Sequence, residues 1–155
     1  MAAKNRKSGK RSSGKSARRP KKFTCYLDAT SGCLEVRQAF DKAKIKYRLH
    51  TDFFSPHAED HTWLPMVGKE GWVLITTDDS MPYSLSEKHA ILKFRVRSFV
   101  YKSHMIGDQI ARFLCEMMPA MRRFNGSHER PFIGYLMPGG TIKLIMDRQG
   151  VIHDR

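Results

Sequence analysis

Four aspartates stand where they could do chemistry together: Asp28, Asp60, Asp78 and Asp79. Asp28 ends the run FTCYLD (23–28), Asp60 opens an amphipathic stretch, and Asp78 and Asp79 follow WVLIT (72–76). Carboxylates converging on one cleft repel each other and stay ionised only when cations bind them. All-oxygen donors select hard ions, Mg²⁺ or Mn²⁺, which polarise phosphoryl oxygens and activate water. The chemistry this set would support is metal-assisted hydrolysis of a phosphodiester. Thr76 and Thr77 are placed to orient such ligands, although threonine on a strand also serves packing. Aspartate is common at strand ends and helix caps for local reasons too. Asp60 is the member of the set that best fits a plain cap.

These acids need a frame that brings them to one edge. FTCYLD reads as a short strand. Leu34, Ala39, Phe40 and Ala43 give an apolar helical face from Cys33 to about Lys44, with Thr30 or Ser31 able to cap it. YRLHT (47–51) alternates like a strand, and residues 52–59 read as loop. A second helix spans Asp60 to Glu70, with Pro65 as a site of bending and Gly71 as its stop. WVLIT is apolar or β-branched throughout, as a strand buried on both faces would be. Further elements are a helix from Ser84 to Phe94, a strand SFVY (98–101) and a long helix from Ile106 to about Phe124. PFIGYL (131–136) and TIKLI (141–145) are joined by the turn MPGG (137–140). The alternation predicts an α/β domain with a largely parallel sheet. Sites in such sheets form beyond the carboxyl ends of the strands, and crossovers of the usual hand bring those ends to one edge.

Several other chemistries lack their residues. The first strand ends in Asp28-Ala29-Thr30, so an Asp-x-Asp phosphatase signature is absent, as are the paired acids of a receiver domain. No GxxxxGK[ST] or GxGxxG loop occurs. His57 and His61 are four apart but Ala58 replaces the glutamate of HExxH, and no cysteine is near for zinc. Cys25 and Cys33 read as buried thiols, and Met105, Met117, Met118 and Met121 as adaptable core packing with an exposed part open to a partner. Trp63 and Trp72 read as core. Arg95, Arg97, Arg112, Arg122 and Arg123 are either solvated or available to phosphate.

The chain has 155 residues and a formal charge of +13, from 28 Lys+Arg against 15 Asp+Glu. That length suits one domain. The charge is concentrated at the start: residues 1–22 carry Lys4, Arg6, Lys7, Lys10, Arg11, Lys15, Arg18, Arg19, Lys21 and Lys22, and no acid. Such a segment cannot bury enough apolar surface to offset its ordering entropy, so it is expected to be disordered. Its ten cations would bind phosphate backbones through counterion release, without reading sequence. A merely solubilising tail is the plainer reading of the same residues. The expected organisation is a basic tail (1–22), a folded domain (23–147) and a C-terminal tail (148–155). No apolar run is long enough to span a bilayer, and none follows the basic start as a signal peptide requires. Three cysteines without a CxxC pair argue for a reducing compartment, and a cytoplasmic location is expected.

The segments CYLDATSG, FFSPHAEDHTWLPMVGKEGWVLITTDDSM, HAILKFRVRSFVY and RPFIGYLMPGGTIKLI resemble, in that order, the PIN-like domains, with small VapC-type toxin proteins as the nearest branch. The more specific part is an Asp at the first strand, then Asp-x-x-Trp-Leu, then Gly-Trp-Val-Leu-Ile-Thr-x-Asp. The similarity covers roughly residues 23–145. It implies a three-layer α/β/α domain with strand order 3-2-1-4-5 and a Mg²⁺- or Mn²⁺-dependent ribonuclease site. Asp28, Asp60 and Asp78 fall on the family's acidic positions. Asp79 would bind a second ion or hold a metal-bound water. Ala29 stands where related sequences often carry Glu, and the fourth acid has three candidates, Asp79, Asp52 and Glu35. The implied substrate is single-stranded or looped RNA. The implied role is the toxin of a toxin–antitoxin pair, with an antitoxin protein and a second copy of the chain as protein partners. Two alternatives stay open: a non-catalytic nucleic-acid-binding module, and an interaction scaffold on a degenerate version of the fold.

Overall fold

The computed structural model describes residues 22–153. The basic residues from Lys4 to Lys21, and the disorder and phosphate binding expected of them, lie outside the described residues; Lys22 is exposed. The elements run β1 (Cys25–Leu27), α1 (Leu34–Ala43), β2 (Tyr47–Leu49), α2 (His50–Phe53), α3 (Asp60–Glu70) and β3 (Val73–Thr76). A 3₁₀ turn (Met81–Tyr83) leads to α4 (Leu85–Phe94), β4 (Arg97–Val100), α5 (Gly107–Ser127), β5 (Phe132–Met137) and β6 (Thr141–Met146).

The strands form one sheet ordered β2-β1-β3-β4-β5-β6, parallel except for the β5–β6 hairpin. This corrects the order 3-2-1-4-5, because β1 lies between β2 and β3. The reason is the path of the crossovers. The chain goes from β1 to β2 through α1 on one face, then returns over β1 to β3 through α3 on the other face. A reversal of winding direction with hand-conserving crossovers must put the two helices on opposite faces.

The alternation of side chains along the central strands builds both cores. Cys25, Leu27, Val73 and Ile75 face α1 and α5, where Val36, Phe40, Leu114 and Met121 meet them. Tyr26 and Leu74 face α3 and α4, against Leu64, Val67 and Ile91. Each of these side chains is withdrawn from water, and a buried Leu, Ile or Val contributes roughly 1.5–3 kcal/mol. The result is a three-layer α/β/α domain. Met117, Met118 and Met121 pack into the core.

Local details differ from the periodicity. α1 is capped by Cys33 without a side-chain bond, not by Thr30 or Ser31; Ser31 is buried instead and bonds the Tyr101 hydroxyl at 2.7 Å. The alternating run 47–51 is a strand only to Leu49. At His50 the chain turns into the single helical turn α2, because that ring is drawn under Tyr26 and Ser55. Residues 52 and 53, expected as loop, belong to that turn. α3 passes through Pro65 and ends at Gly71, whose φ of 71° is one a glycine adopts without strain. Gly68 lets α3 approach α4, since a Cβ there would collide with the Phe94 carbonyl. Beyond β6 the chain folds back, and Ile152 bridges Met146. Among the described residues no helix is long and apolar enough to cross a membrane.

Candidate active site

The reversal at β1 opens a crevice beyond the carboxyl ends of β1 and β3, where neighbouring connections leave the sheet in opposite directions. Asp28 follows β1 directly and Asp78 follows β3 by two residues, so both fall at that edge. Asp60 reaches it as the first residue of α3. Asp28, Asp60 and Asp78 line one cavity of about 160 Å³, together with Tyr26, His50, Trp63 and Thr76. Asp60 does not act as the cap of α3. That position is Glu59, and it makes no side-chain cap bond.

Asp28 is held by four donors. Its Oδ1 accepts the Ser31 N–H at 2.7 Å. Its Oδ2 accepts the Thr76 hydroxyl at 2.8 Å, the Thr77 N–H at 2.9 Å and, more weakly, the Thr77 hydroxyl at 3.4 Å. Hydrogen bonds from several directions fix the orientation of a carboxylate. The Asp28 charge, beside the burial that dominates, keeps the Tyr101 phenol well above its ordinary range. Thr76 thus bonds the first acid and also accepts the Asp78 N–H at 3.1 Å. Asp78 itself is exposed, and its Oδ1 accepts the hydroxyl of Ser80 at 2.6 Å and its N–H at 3.2 Å.

An acid that the sequence reading did not single out completes the cluster. Glu87, on the first turn of α4, hydrogen-bonds Asp60. Burial pushes the Glu87 carboxyl up to about 8, and the bond to Asp60 and the charges of Asp60 and Asp78 push the same way, against a bond from Ser84. Glu87 is therefore the acid of this cluster that holds its proton most tightly. The signal in the chain was Ser84-x-x-Glu87, which has capping-box spacing and reads first as local structure.

The three earlier candidates for a fourth acid do not line this cavity. Glu35 lies against Gly107 at the start of α5, Asp52 sits on α2, and Asp79 bonds Thr77 O through its own N–H.

The wall of the cavity is aromatic. Tyr26 stacks between Trp63, at 5.6 Å and 14°, and Trp72, at 5.7 Å and 11°. His50 is buried, with Nδ1 2.7 Å from the Tyr26 hydroxyl and Nε2 3.0 Å from Ser55 O. A carbonyl only accepts, so Nε2 carries the proton and the Tyr26 hydroxyl donates to Nδ1. Burial raises the Tyr26 phenol far above its ordinary value, and it stays a donor.

All the carboxylate donors are hard oxygens, the kind Mg²⁺ or Mn²⁺ takes. Among the described residues, no group of three or more His, Cys, Asp or Glu side chains stands in ligand geometry. The donor set therefore fits such an ion in kind, with the carboxylates gathered around one cavity but not closed on one point. His61 is exposed beside Glu59, at 3.7 Å. Cys25 is buried, which pushes its thiol up to about 12, so it is no nucleophile.

The family model described as PIN like domain matches residues 25–103, the span from β1 through β4 that carries all four clustered acids. No curated protein and no solved structure matches the chain. With its acids gathered beyond the strand ends of a sheet that reverses at β1, the chain belongs to the PIN-like domain family and carries its nuclease-type fold.

Proposed function

We propose that this protein is a Mg²⁺- or Mn²⁺-dependent endoribonuclease whose site is the Asp28–Asp60–Asp78 cavity. The observation that carries the reading is the meeting of these three acids, from three separate segments, at the switch point of the sheet. When bound, the cation supplies Lewis acidity toward a phosphoryl oxygen and a water acidic enough to attack it. Asp28, Asp60 and Asp78 would hold it, with Asp79 next in the chain as a further carboxylate and the Glu87 acid against Asp60. The Thr76 hydroxyl and the Thr77 N–H keep Asp28 aimed. The exposed Asp78 side chain lines the cavity from its solvent side. Single-stranded or looped RNA suits a cavity this narrow, because its backbone can be drawn in alone. The basic segment 1–22 would raise the local concentration of RNA. The toxin of a toxin–antitoxin pair, acting in the cytoplasm with an antitoxin protein or a second copy as partner, is the cellular role we propose for this activity.

A Mn²⁺ titration followed by calorimetry tests the site. The reading predicts binding that disappears in Asp28→Asn. Binding that survives in this variant, or no binding at all, would favour the non-catalytic nucleic-acid-binding alternative.

A further inference from the structure

The acid cavity does not end at Asp60. That residue also lines a second cavity of about 320 Å³, which Glu87 and Ser84 help to form. The second cavity shares His61, Ser84, Ser86 and Ala90 with an open groove of about 990 Å³ between α3 and α4. These shared lining residues link the three spaces in a path from the carboxylates out along α4.

The character of the path changes along its length. The inner part is acidic, while no carboxylate lines the outer groove. Its ionisable side chains are His61, His89 and Lys93, all of the cationic type. His89 and Lys93 are four residues apart and so share one face of α4. The apolar part of the lining is Leu85, Ala90 and Phe94, of which Leu85 is 83 % exposed. The Lys93 ammonium stands 5.4 Å from the centroid of the Phe94 ring. A leucine so open to water on the rim of an apolar groove gains by being covered.

We propose that the α3–α4 groove is the track on which a single RNA strand lies as it leaves the acid cavity. Phosphates would face His89, Lys93 and His61, and one or two bases would lie on Leu85 and Phe94. This rests on the ribonuclease reading for the identity of the strand. The alternation of cation and apolar surface is what single strands require, since every base has an apolar face and every linkage a charge. A double helix would not fit, because its bases are stacked away from the groove floor.

Photo-crosslinking tests the track. The full-length protein is mixed with a short oligouridylate carrying 4-thiouridine, in EDTA so that cleavage does not interfere, and crosslinked peptides are mapped. Crosslinks are expected within residues 84–94, with their yield reduced about tenfold in Leu85→Ser/Lys93→Ala. The melting temperature of that variant should stay unchanged, because both side chains are exposed. In parallel, Mn²⁺-dependent cleavage of a dinucleotide too short to fill the groove is measured on the same proteins. Cleavage without crosslinks in 84–94, or crosslinks indifferent to the substitutions, would overturn the track while leaving the nuclease reading in place. That result would assign the groove to another occupant, such as a partner protein. Variant-sensitive crosslinks without cleavage of any RNA would uphold the track as a nucleic-acid site and overturn the nuclease reading.

Discussion

Thr76 donates its hydroxyl to Asp28 Oδ2 at 2.8 Å, although 48 residues separate the two in the chain. The Thr76 hydroxyl oxygen also accepts the Asp78 N–H at 3.1 Å, so one β3 side chain sets both the first acid and the loop that carries the third. Thr76→Val keeps the shape and removes the donor. It should cost about 1–2 kcal/mol in urea unfolding, the penalty of an unmade buried hydrogen bond. Mn²⁺ affinity should fall about 10–100-fold, as happens when a ligand's orienting partner is lost. Thr76→Ser should restore most of both, which a purely packing role for the methyl group would not do.

The Glu87 proton gives a pH dependence with a definite sign. Its folded carboxyl titrates near 8 rather than at the ordinary 4.5, so the folded state binds the proton more tightly than the unfolded state. Stability is then highest below about 4.5 as far as this group is concerned, and declines as the pH rises through about 8. Glu87→Gln removes that decline. Thermal melts at pH 6 and pH 9 should show a drop in the wild type that is smaller in the variant by a few degrees. An equal drop in both would mean that Glu87 is not the group responsible.

Much of the frame is legible in the residues. The bounds of α3 are readable because Asp60 starts a polar-to-apolar pattern and Gly71 supplies the left-handed residue that stops it. β3 is readable because Val73, Leu74, Ile75 and Thr76 are buried on both faces, and only a central strand tolerates such a run. Asp28, Asp60 and Asp78 are readable as a set because each ends or begins one of these elements. The strand order is not, since it depends on which face each crossover takes, and helical periodicity carries no such information. Glu87 is not readable because its neighbour Asp60 is set by the packing of α3 on α4. Nothing in the spacing of residues 60 and 87 announces that contact. His50 reads as the tail of a strand, and only the Tyr26 hydroxyl, from a different strand, explains why it is buried.

The Tyr26–His50 bond supports the aromatic wall of the cavity. Tyr26→Phe leaves Nδ1 of a buried imidazole without a donor. The expected loss is about 1–2 kcal/mol by urea unfolding. A neutral outcome would mean that water reaches His50.

The approach of α3 to α4 rests on Gly68, beside the Phe94 carbonyl. Because Asp60 and Glu87 sit on these two helices, Gly68→Ala should separate them as well as destabilise the fold. About 1–3 kcal/mol is expected in urea unfolding, the range for overpacking a tight contact. The rise of stability toward low pH that Glu87 contributes should shrink in the same variant, as measured by melts at pH 6 and pH 9.

Metal-dependent RNA cleavage by the gathered aspartates is the proposal from which the others follow. The most direct measurement incubates labelled single-stranded RNA with wild type and Asp28→Asn/Asp78→Asn, each with Mn²⁺ or with EDTA, after circular dichroism has shown both proteins folded. Fragments are expected only from the wild type with Mn²⁺, at a rate at least about a hundredfold above the variant. Equal cleavage by both proteins, or RNA bound and left intact by both, would contradict that proposal.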